Sequence, residues 1–450
     1  MTNRETEEKL RKLAAIDRGA ADANWLHYLS GEGEERQLAD DLIDVQLYQK
    51  LSKGYEKRIF LEPSSPSVCD GAYGLGQVMY PAEVPYCPFG LREDEWIKHL
   101  LITGMTGAGK TNLMFLVLEE LAAKKKPFII FDWKRNYRDL LQLAPFKNCR
   151  VYTVASNVAP FSFNPLLPPV GVDAGEWLMK LVDVLKHAYF VGEGVEYLLR
   201  EGIDRIYESC GVFSGEMREV PTFAAVRNYI VRKPLQGRMQ LWKASTLRVL
   251  ESLCFRHGLG SVVNCEAALD HEALLSRPIV LELDRLSDVD KVFLTEALIL
   301  WLYEFRKREA GREVFKHALV IEEGHHILSQ KKEQAEGVET IMETCLRQIR
   351  EFGEAVIVID QEPTKLSNSI KANSYTKITF NLGNGKDVLE IASCMGLSRE
   401  ESDYIPLLET GHAIVSLKGR ISVPICVRFR KAKVVKGAID DAQLMRQNLQ

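Results

Sequence analysis

The sequence predicts an α/β fold in which helices cover a largely parallel sheet. From Trp96 onward, short apolar runs alternate with helical patterns, which is typical of parallel strands joined by crossover helices. In addition, the apolar run at 99–103 leads through a glycine-rich segment at 104–111 into a helical pattern at 112–121. A chain of 450 residues, 46% of them hydrophobic, is long enough to bury a large core.

Five further apolar runs predict buried strands. They lie at residues 126–132, 150–154, 277–283, 318–321 and 355–359. Between residues 172 and 275 the pattern is almost entirely helical, which predicts an all-α insertion in the α/β core. Its aromatic residues at helical spacing are interpreted as core residues: Trp177, Tyr189, Phe190 and Tyr197.

The segment before the core has a mixed pattern. Residues 6–15 and 38–51 predict helices, and residues 62–67 predict a linker. Residues 70–90 carry several glycines and prolines and predict loops and short strands, with the glycine-rich stretch 71–76 interpreted as a plain loop. The expected organisation is an N-terminal region at 1–90, a core at 91–171 and 276–436, the insertion at 172–275 and a tail at 437–450.

The bulk composition is that of an ordinary globular protein. The net charge of −4 gives no global basic field, so any contact with nucleic acid must come from local patches. The nine cysteines include no C-x-x-C pair, which argues for reduced thiols and against a zinc site or a disulfide framework. The first thirty residues are charged and no apolar run approaches the roughly 18 residues of a membrane span, so a cytoplasmic location is expected.

Residues 104–111 fit the phosphate-binding pattern G-x-x-x-x-G-K-[ST]. The glycines let backbone N–H groups turn inward around a β-phosphate, and Lys110 places a compact positive charge between the β- and γ-phosphates. The Thr111 hydroxyl can complete the octahedral shell of Mg²⁺. The motif therefore predicts binding of ATP and Mg²⁺ by Gly104, Thr106, Gly107, Ala108, Gly109, Lys110, Thr111 and Asn112.

The second half of an ATP site is expected after the apolar strand at 318–321. Glu322 is placed to face Mg²⁺ through water, and Glu323 to orient the attacking water. Gln361, at the end of the next predicted strand, either hydrogen-bonds the γ-phosphate or the water, or caps the strand. His325 and His326 lack a third ligand at metal spacing, so a structural or sensing role is favoured over zinc.

Together these motifs resemble the HerA branch of the HerA–FtsK superfamily over roughly residues 95–430. The resemblance is carried by Lys98-His99, the P-loop and the segments 131–134, 159–169, 321–325, 350–353 and 360–363. It implies a RecA-like P-loop NTPase core that assembles as a homohexamer and moves duplex DNA through a central pore. Members of this branch usually begin with a small β-barrel, whereas here the segment before the core is short and partly helical.

The resemblance also implies roles for individual residues. Lys110 and Thr111 match the Walker A pair, and Glu323 matches the catalytic acid. Gln361 matches the sensor, and Arg350 matches an arginine that reaches the γ-phosphate. Asp132 matches an acid near the nucleotide. The last match is a finger, meaning a basic residue donated to the ATP site of the neighbouring subunit, for which the candidates are Lys98, Arg92 and Arg347.

Two basic loops after strand ends are candidate DNA contacts in a pore. Their cations are Lys134, Arg135 and Arg138 in the first loop and Lys365 and Lys371 in the second. Residues 411–438 contain no acid and seven basic residues, and a strand at a sheet edge is predicted at 421–429. Contacts through phosphates would have no sequence preference and a strong salt dependence.

The leading hypothesis is an ATP-driven DNA translocase or helicase that works with a partner nuclease or an effector in DNA repair or antiphage defence. A second hypothesis is a ring scaffold that uses ATP as a switch and docks effectors through the polar, helical N-terminal region. A third is a conjugative or secretion-type ATPase.

Overall fold

The computed structural model of the chain describes residues 3–51, 59–81, 84–266, 270–336 and 340–448. Its centre is an 11-stranded sheet in the order β2-β1-β11-β10-β9-β3-β8-β7-β4-β6-β5. The strands are β1 Tyr73–Met79, β2 Pro85–Leu91, β3 Leu100–Thr103, β4 Phe128–Asp132, β5 Arg150–Thr153, β6 Ile279–Glu282, β7 His317–Glu322, β8 Glu354–Asp360, β9 Thr376–Thr379, β10 His412–Leu417 and β11 Ile425–Phe429.

The strands predicted from apolar runs form the parallel half of this sheet. Strands β9, β3, β8, β7, β4, β6 and β5 pair in parallel, for example with Thr103 opposite Asp360. Every residue of β3, β4, β6, β7 and β8 is buried, because helices cover both faces. The carboxyl ends of these strands therefore lie along one edge of the sheet.

The other half of the sheet is antiparallel and was predicted in part, from the short strands expected at 70–90 and the strand expected at 421–429. Strands β10, β11, β1 and β2 extend the sheet through antiparallel pairs. The stretch 71–76, interpreted as a loop, runs into β1, so that interpretation was wrong. The predicted strand at 421–429 is present as β11, but it lies inside the sheet between β1 and β10 rather than at an edge.

The helices cover both faces of the sheet, form the insertion and form the N-terminal region. They are α1 Asn3–Ile16, α2 Arg18–Ser30, α3 Glu34–Leu51, α4 Pro66–Cys69, α5 Lys110–Ala123, α6 Ala174–Tyr189, α7 Glu193–Cys210, α8 Phe223–Arg232, α9 Arg238–Leu253, α10 Gly260–Val263, α11 His271–Leu275, α12 Asp288–Arg306, α13 Gln330–Glu336, α14 Ile341–Gln348, α15 Asn368–Asn373, α16 Gly385–Met395, α17 Arg399–Ser402 and α18 Asp441–Asn448. No helix in the described ranges is long and apolar enough to cross a bilayer.

Successive residues of the strands supply two hydrophobic layers. Phe128 and Ile130 of β4 pack in the layer that contains α5, while Ile129 and Phe131 pack in the layer that contains α12. The regular elements in the described part of the insertion are all helices, and its α6 packs on α12, so its core continues the second layer.

The insertion's aromatic residues divide into core and surface. Trp177 is fully buried and Tyr189 packs against the core, as expected. Phe190 is 73% exposed and Tyr197 is 44% exposed, so their assignment to the core was wrong.

The N-terminal region begins with α1, α2 and α3, of which α2 was not predicted. These helices form a small core of their own around Leu13, Ala21 and Ile43. The α/β core with an all-α insertion and a short, partly helical N-terminal region is confirmed.

Candidate functional site

The glycine-rich loop between β3 and α5 has the backbone that phosphate binding requires. Gly104, Gly107 and Gly109 have φ angles of 153°, 83° and 124°, which residues other than glycine rarely adopt. A Cβ atom on Gly104 would lie 2.7 Å from the Cβ of Phe380, so no other residue fits there. The loop is held from the antiparallel half of the sheet, because Met105 N donates to Asn381 O at 2.7 Å and Gly411 N donates to Ala108 O at 3.0 Å. The phosphate cradle is thus formed by the fold itself.

A cavity of about 830 Å³ opens beside this loop. The described residues that line it include the P-loop members Thr106, Gly107, Gly109, Lys110, Thr111 and Asn112 and the strand-end residues Lys134, Glu322, Glu323, Asp360 and Gln361. Lys110 folds back on its own loop, with Nζ donating to Gly104 O at 2.5 Å and to Met105 O at 3.0 Å. Burial lowers the pKa of Lys110 to about 8. A phosphate would replace the two carbonyls as its partner.

Glu323 lies at the centre of a hydrogen-bonded chain that ends in the P-loop. Gln361 Nε2 donates to Glu323 Oε1 at 2.7 Å, and Thr106 Oγ1 donates to Gln361 Oε1 at 2.6 Å. Lys134 forms an ion pair with the same Glu323 oxygen. Burial acts to raise the pKa of Glu323, but the hydrogen bond and charge of Lys134 outweigh it, so this pKa is below its ordinary value. An ionised Glu323 can accept a proton from water.

Glu322 points from the end of β7 into the same cavity. Tyr137 Oη donates to its Oε1 at 2.9 Å, while its Oε2 is buried and has no hydrogen-bond partner in the described structure. Burial, followed by the charge of Glu323, raises the pKa of Glu322. A buried carboxylate oxygen without a partner, in a cavity that also contains the Thr111 hydroxyl, fits Mg²⁺, which prefers oxygen ligands.

The structure places Asp132 outside the cavity, which corrects its assignment to the nucleotide. The side chain is fully buried and accepts three backbone hydrogen bonds, from Lys134 N, Asn136 N and Tyr137 N, at 3.0–3.1 Å. Burial, followed by the charge of Glu322, raises the pKa of Asp132. Asp132 shapes the loop that brings Lys134 to Glu323.

The two histidines after Glu323 have packing partners. His325 donates from its backbone N to Asp360 Oδ2 at 2.7 Å, and its Nδ1 lies 2.9 Å from the same oxygen. His326 stacks on Trp133, with ring centroids 4.5 Å apart. These contacts join the ends of β4, β7 and β8 behind the cavity.

Arg350 lies at the opposite edge of the sheet from the cavity. It precedes the first residue of β8, whereas Gln361 follows the last, and the seven residues of this strand span about 20 Å at about 3.3 Å per residue. Arg350 instead lines a separate cavity with His99 and Arg347. The structure therefore does not place Arg350 in the chain's own nucleotide cavity.

The three finger candidates also lie at this amino edge. Lys98 Nζ donates to Asp94 Oδ2 at 2.7 Å and lies over the Tyr375 ring. Arg92 Nη2 donates to Ser67 O at 3.1 Å. The structure thus keeps all of them away from the chain's own nucleotide cavity.

The candidate DNA contacts are corrected in part. Arg138 is buried between Glu282 and Asp441, and Lys371 is buried against Glu390. Neither is available to a DNA phosphate in this structure.

The other candidates from these loops differ in exposure. Lys134 reaches into the nucleotide cavity, as described above, and Arg135 Nη2 donates to Asp441 Oδ1 at 2.8 Å. Lys365 remains at the surface, where it pairs with Glu362.

One group of cavity residues was not assigned from the sequence. They are Lys431, Ala432, Val434 and Lys436, which line the cavity from a segment that is hydrogen-bonded to Asn112 beside the P-loop. The acid-free basic composition of residues 411–438 was the available signal, but it does not reveal which surface the segment covers.

Comparisons with known proteins agree with this geometry. Residues 74–197 match the family model described as "Helicase HerA, central domain". The DNA double-strand break repair helicase HerA of Sulfolobus acidocaldarius is 23% identical over 358 residues, which are 74% of this chain and 65% of that protein. The match thus spans less than two thirds of the relative's length.

Solved structures share the fold. VirB4 of Thermoanaerobacter pseudethanolicus superimposes with a TM-score of 0.61 at 18% identity, covering 81% of this chain and 99% of that one. The plasmid coupling protein TrwB in complex with ADP and Mg²⁺ gives 0.57 at 12% identity, covering 85% and 96%. By the matched central domain, the relative and the shared fold, the chain is similar to HerA-like P-loop ATPases.

Proposed function

We propose that the chain hydrolyses ATP with Mg²⁺ and uses the energy to move along duplex DNA as a homohexamer. The observation that carries the proposal is the single cavity that holds Lys110, Thr111, Glu322, Glu323 and Gln361. These are the groups that phosphoryl transfer to water needs: a phosphate-binding cation, oxygen ligands for the metal, a carboxylate to orient water and an amide between water and the P-loop.

Each residue has a defined task in this proposal. Lys110 exchanges its two carbonyl partners for the β- and γ-phosphates. Thr111 and Glu322 would hold Mg²⁺, which neutralises charge on the phosphates when bound. Glu323 accepts the proton of the attacking water, and Gln361 links it to Thr106 of the P-loop.

The lack of an arginine in the described lining of the cavity supports an assembly. No arginine is among the described residues that line the cavity. Phosphoryl transfer is usually completed by an arginine that stabilises the transferring group. Arg92, Lys98, Arg347 and Arg350 lie at the amino edge of the sheet and are candidates for donation to the cavity of a neighbouring subunit. Because Lys98 lacks the planar fork of arginine, we favour an arginine of this set.

For DNA we propose a surface at the carboxyl edge beyond β6 and β5. A polar cavity of about 330 Å³ lies there, between the strand ends and the insertion, and Arg256, His257 and Arg285 line it. No acidic residue is among its described lining residues. Arg285 follows β6 as Lys134 follows β4, so this surface and the ATP cavity share one edge of the sheet. Phosphate contacts by these cations would couple DNA to the strand ends that hold Glu323.

The test is ATP turnover of the purified protein with and without linear duplex DNA. We expect severalfold stimulation by duplex that is lost at high salt. Glu323→Gln should lower turnover about 10²–10⁴-fold while it retains nucleotide binding, since an amide cannot take the proton. Lys110→Ala should lose both ATP turnover and nucleotide binding. Turnover that is indifferent to DNA in the wild type would refute the translocase proposal.

A partner nuclease or a defence effector belongs to the same proposal, and one observation favours docking through the N-terminal helices. Several large apolar side chains on α2 and α3 are exposed: Leu26, Leu29, Leu38, Leu42, Val45 and Tyr48. Such a surface is typical of a protein contact. If the chain is instead an ATP-switched scaffold, deletion of residues 1–60 should abolish effector binding and leave DNA-independent turnover unchanged.

A further inference from the structure

The segment 430–440, here called the C-terminal strap, is fastened beside the P-loop at its first end. Asn112, in the first turn of α5, holds the strap with both polar atoms of its side chain. Its Nδ2 donates to Arg430 O at 2.8 Å, and its Oδ1 accepts from Ala432 N at 2.9 Å. Asn112 follows Lys110 and Thr111 directly, so the strap begins at the phosphate cradle.

The second end of the strap is fastened to the loop after β4. Asp139 accepts backbone hydrogen bonds from Gly437, Ala438 and Ile439 at 2.7–3.0 Å. Just beyond them, Asp441 Oδ1 accepts from Arg138 Nη1 at 2.7 Å and from Arg135 at 2.8 Å. The same loop carries Lys134, the partner of Glu323. The strap is therefore tied to the loop that holds the catalytic carboxylate.

Between these two fastenings the strap forms one wall of the nucleotide cavity. Ala432 and Val434 line it together with Phe115 and Phe429, which gives an apolar surface. Lys431 and Lys436 line the same cavity and add two ammonium groups. An apolar surface beside cations fits a nucleotide, whose base and ribose are weakly polar and whose phosphates are anionic.

The basic residues of the strap differ in whether they have an acidic partner. Arg430, at its start, pairs with Glu119 at 3.0 Å and with Glu120 at 3.6 Å. Lys431 and Lys436 form no hydrogen bond or ion pair with any described residue, although both border a cavity that holds carboxylates. Cations that face a cavity without protein partners are suited to an anionic ligand.

We propose that the C-terminal strap is part of the nucleotide site: Ala432 and Val434 contact the base or ribose, Lys431 and Lys436 contact phosphates, and exchange of nucleotide requires the strap to loosen. The proposal rests on the proposed function only in that a nucleotide occupies the cavity. It assigns binding residues far in sequence from the P-loop and connects nucleotide release to the Asp441 fastening.

The test measures binding rather than turnover, with fluorescent N-methylanthraniloyl derivatives of ATP and ADP and without DNA. Lys431→Ala and Lys436→Ala are each expected to weaken binding about threefold to tenfold, the range of one typical hydrogen bond in a site open to solvent. Lys433→Ala is the matched control, because Lys433 is an exposed strap lysine outside the cavity lining. Asp441→Asn is expected to speed the release of the ADP derivative in stopped-flow displacement.

The outcomes separate this inference from the proposed function. If Lys431→Ala and Lys436→Ala both bind as tightly as Lys433→Ala, the strap is not part of the nucleotide site. If release is unchanged in Asp441→Asn, the fastening does not control exchange. If DNA fails to stimulate turnover while the two lysine variants bind more weakly, the translocase proposal fails and the strap assignment stands.

Discussion

Replacement of Arg420 by methionine should destabilise the protein strongly, because this side chain connects three segments at the amino edge of the sheet. Its Nη1 donates to both oxygens of Glu95 at 2.7 and 2.8 Å. Its other nitrogens donate to the carbonyls of Val68, Cys69 and Gly90 at 2.8–2.9 Å. The Arg420 and Glu95 side chains are only 5% and 2% exposed.

The magnitude follows from this burial. Arg420→Met leaves a buried carboxylate without its partner and three carbonyls without donors, which costs about 3–5 kcal/mol of the free energy of unfolding. Arg430→Met is the matched control, because Arg430 is 43% exposed and its ion pairs contribute about 0–1 kcal/mol. Urea unfolding followed by tryptophan fluorescence measures both, since the buried Trp96 adjoins Glu95.

A second variant tests the cause. If the loss comes from the unpaired carboxylate, Glu95→Gln in the Arg420→Met background should restore part of the stability. A loss in Arg420→Met no larger than in Arg430→Met, or no recovery in the double variant, would refute the reasoning. The result also bears on assembly, because Glu95 lies in the turn Glu93–Lys98 that carries a finger candidate.

Two further predictions concern pH. Lys134 keeps the pKa of Glu323 below its ordinary value, so Lys134→Met should raise this pKa and move the acid limb of the turnover–pH profile to higher pH. The control Lys365→Met, at a lysine outside the cavity, should leave the acid limb in place. An unmoved acid limb in Lys134→Met would contradict the assignment of Glu323. Burial lowers the pKa of His99 to about 4, so between about pH 6.5 and 4 the unfolded chain binds a proton that the folded chain does not, and stability falls as pH falls. His99→Gln, which keeps a donor for Leu346 O, should reduce this fall by up to about 3 kcal/mol in urea unfolding at pH 7 against pH 4.5, and equal slopes would show that His99 is not the source.

The parallel half of the sheet and the P-loop were predictable because their signals are local. Strands buried on both faces appear as continuous apolar runs, and the P-loop follows one of them directly. Strand β9 carries Thr376, Lys377 and Thr379 and shows no such run, yet it is buried beside β3. Its burial comes from neighbours that are distant in sequence, so a local pattern could not reveal it.

The candidate site also contains residues with a local sequence signal and contacts between segments that are distant in sequence. Glu322, Glu323 and Gln361 were found because each follows an apolar strand. The contact between Lys134 and Glu323 joins residues 189 positions apart, and that between Asn112 and Arg430 joins residues 318 apart. Only the strand order places these segments together, so the basic loop at 134–138 was interpreted as a DNA contact rather than as part of the ATP site.

The P-loop follows β3, one strand away from the β9–β10 pair at which the sheet changes from parallel to antiparallel, and it is hydrogen-bonded to the segments after β9 and before β10. Its ordering is therefore completed when the protein folds, and ATP binding need not supply that entropy. Nucleotide affinity then depends on how firmly Asn381 and Gly411 are held, although neither belongs to the motif. Natural variants could adjust ATP affinity by substitutions around β9 and β10 and leave all eight residues of the phosphate-binding motif unchanged.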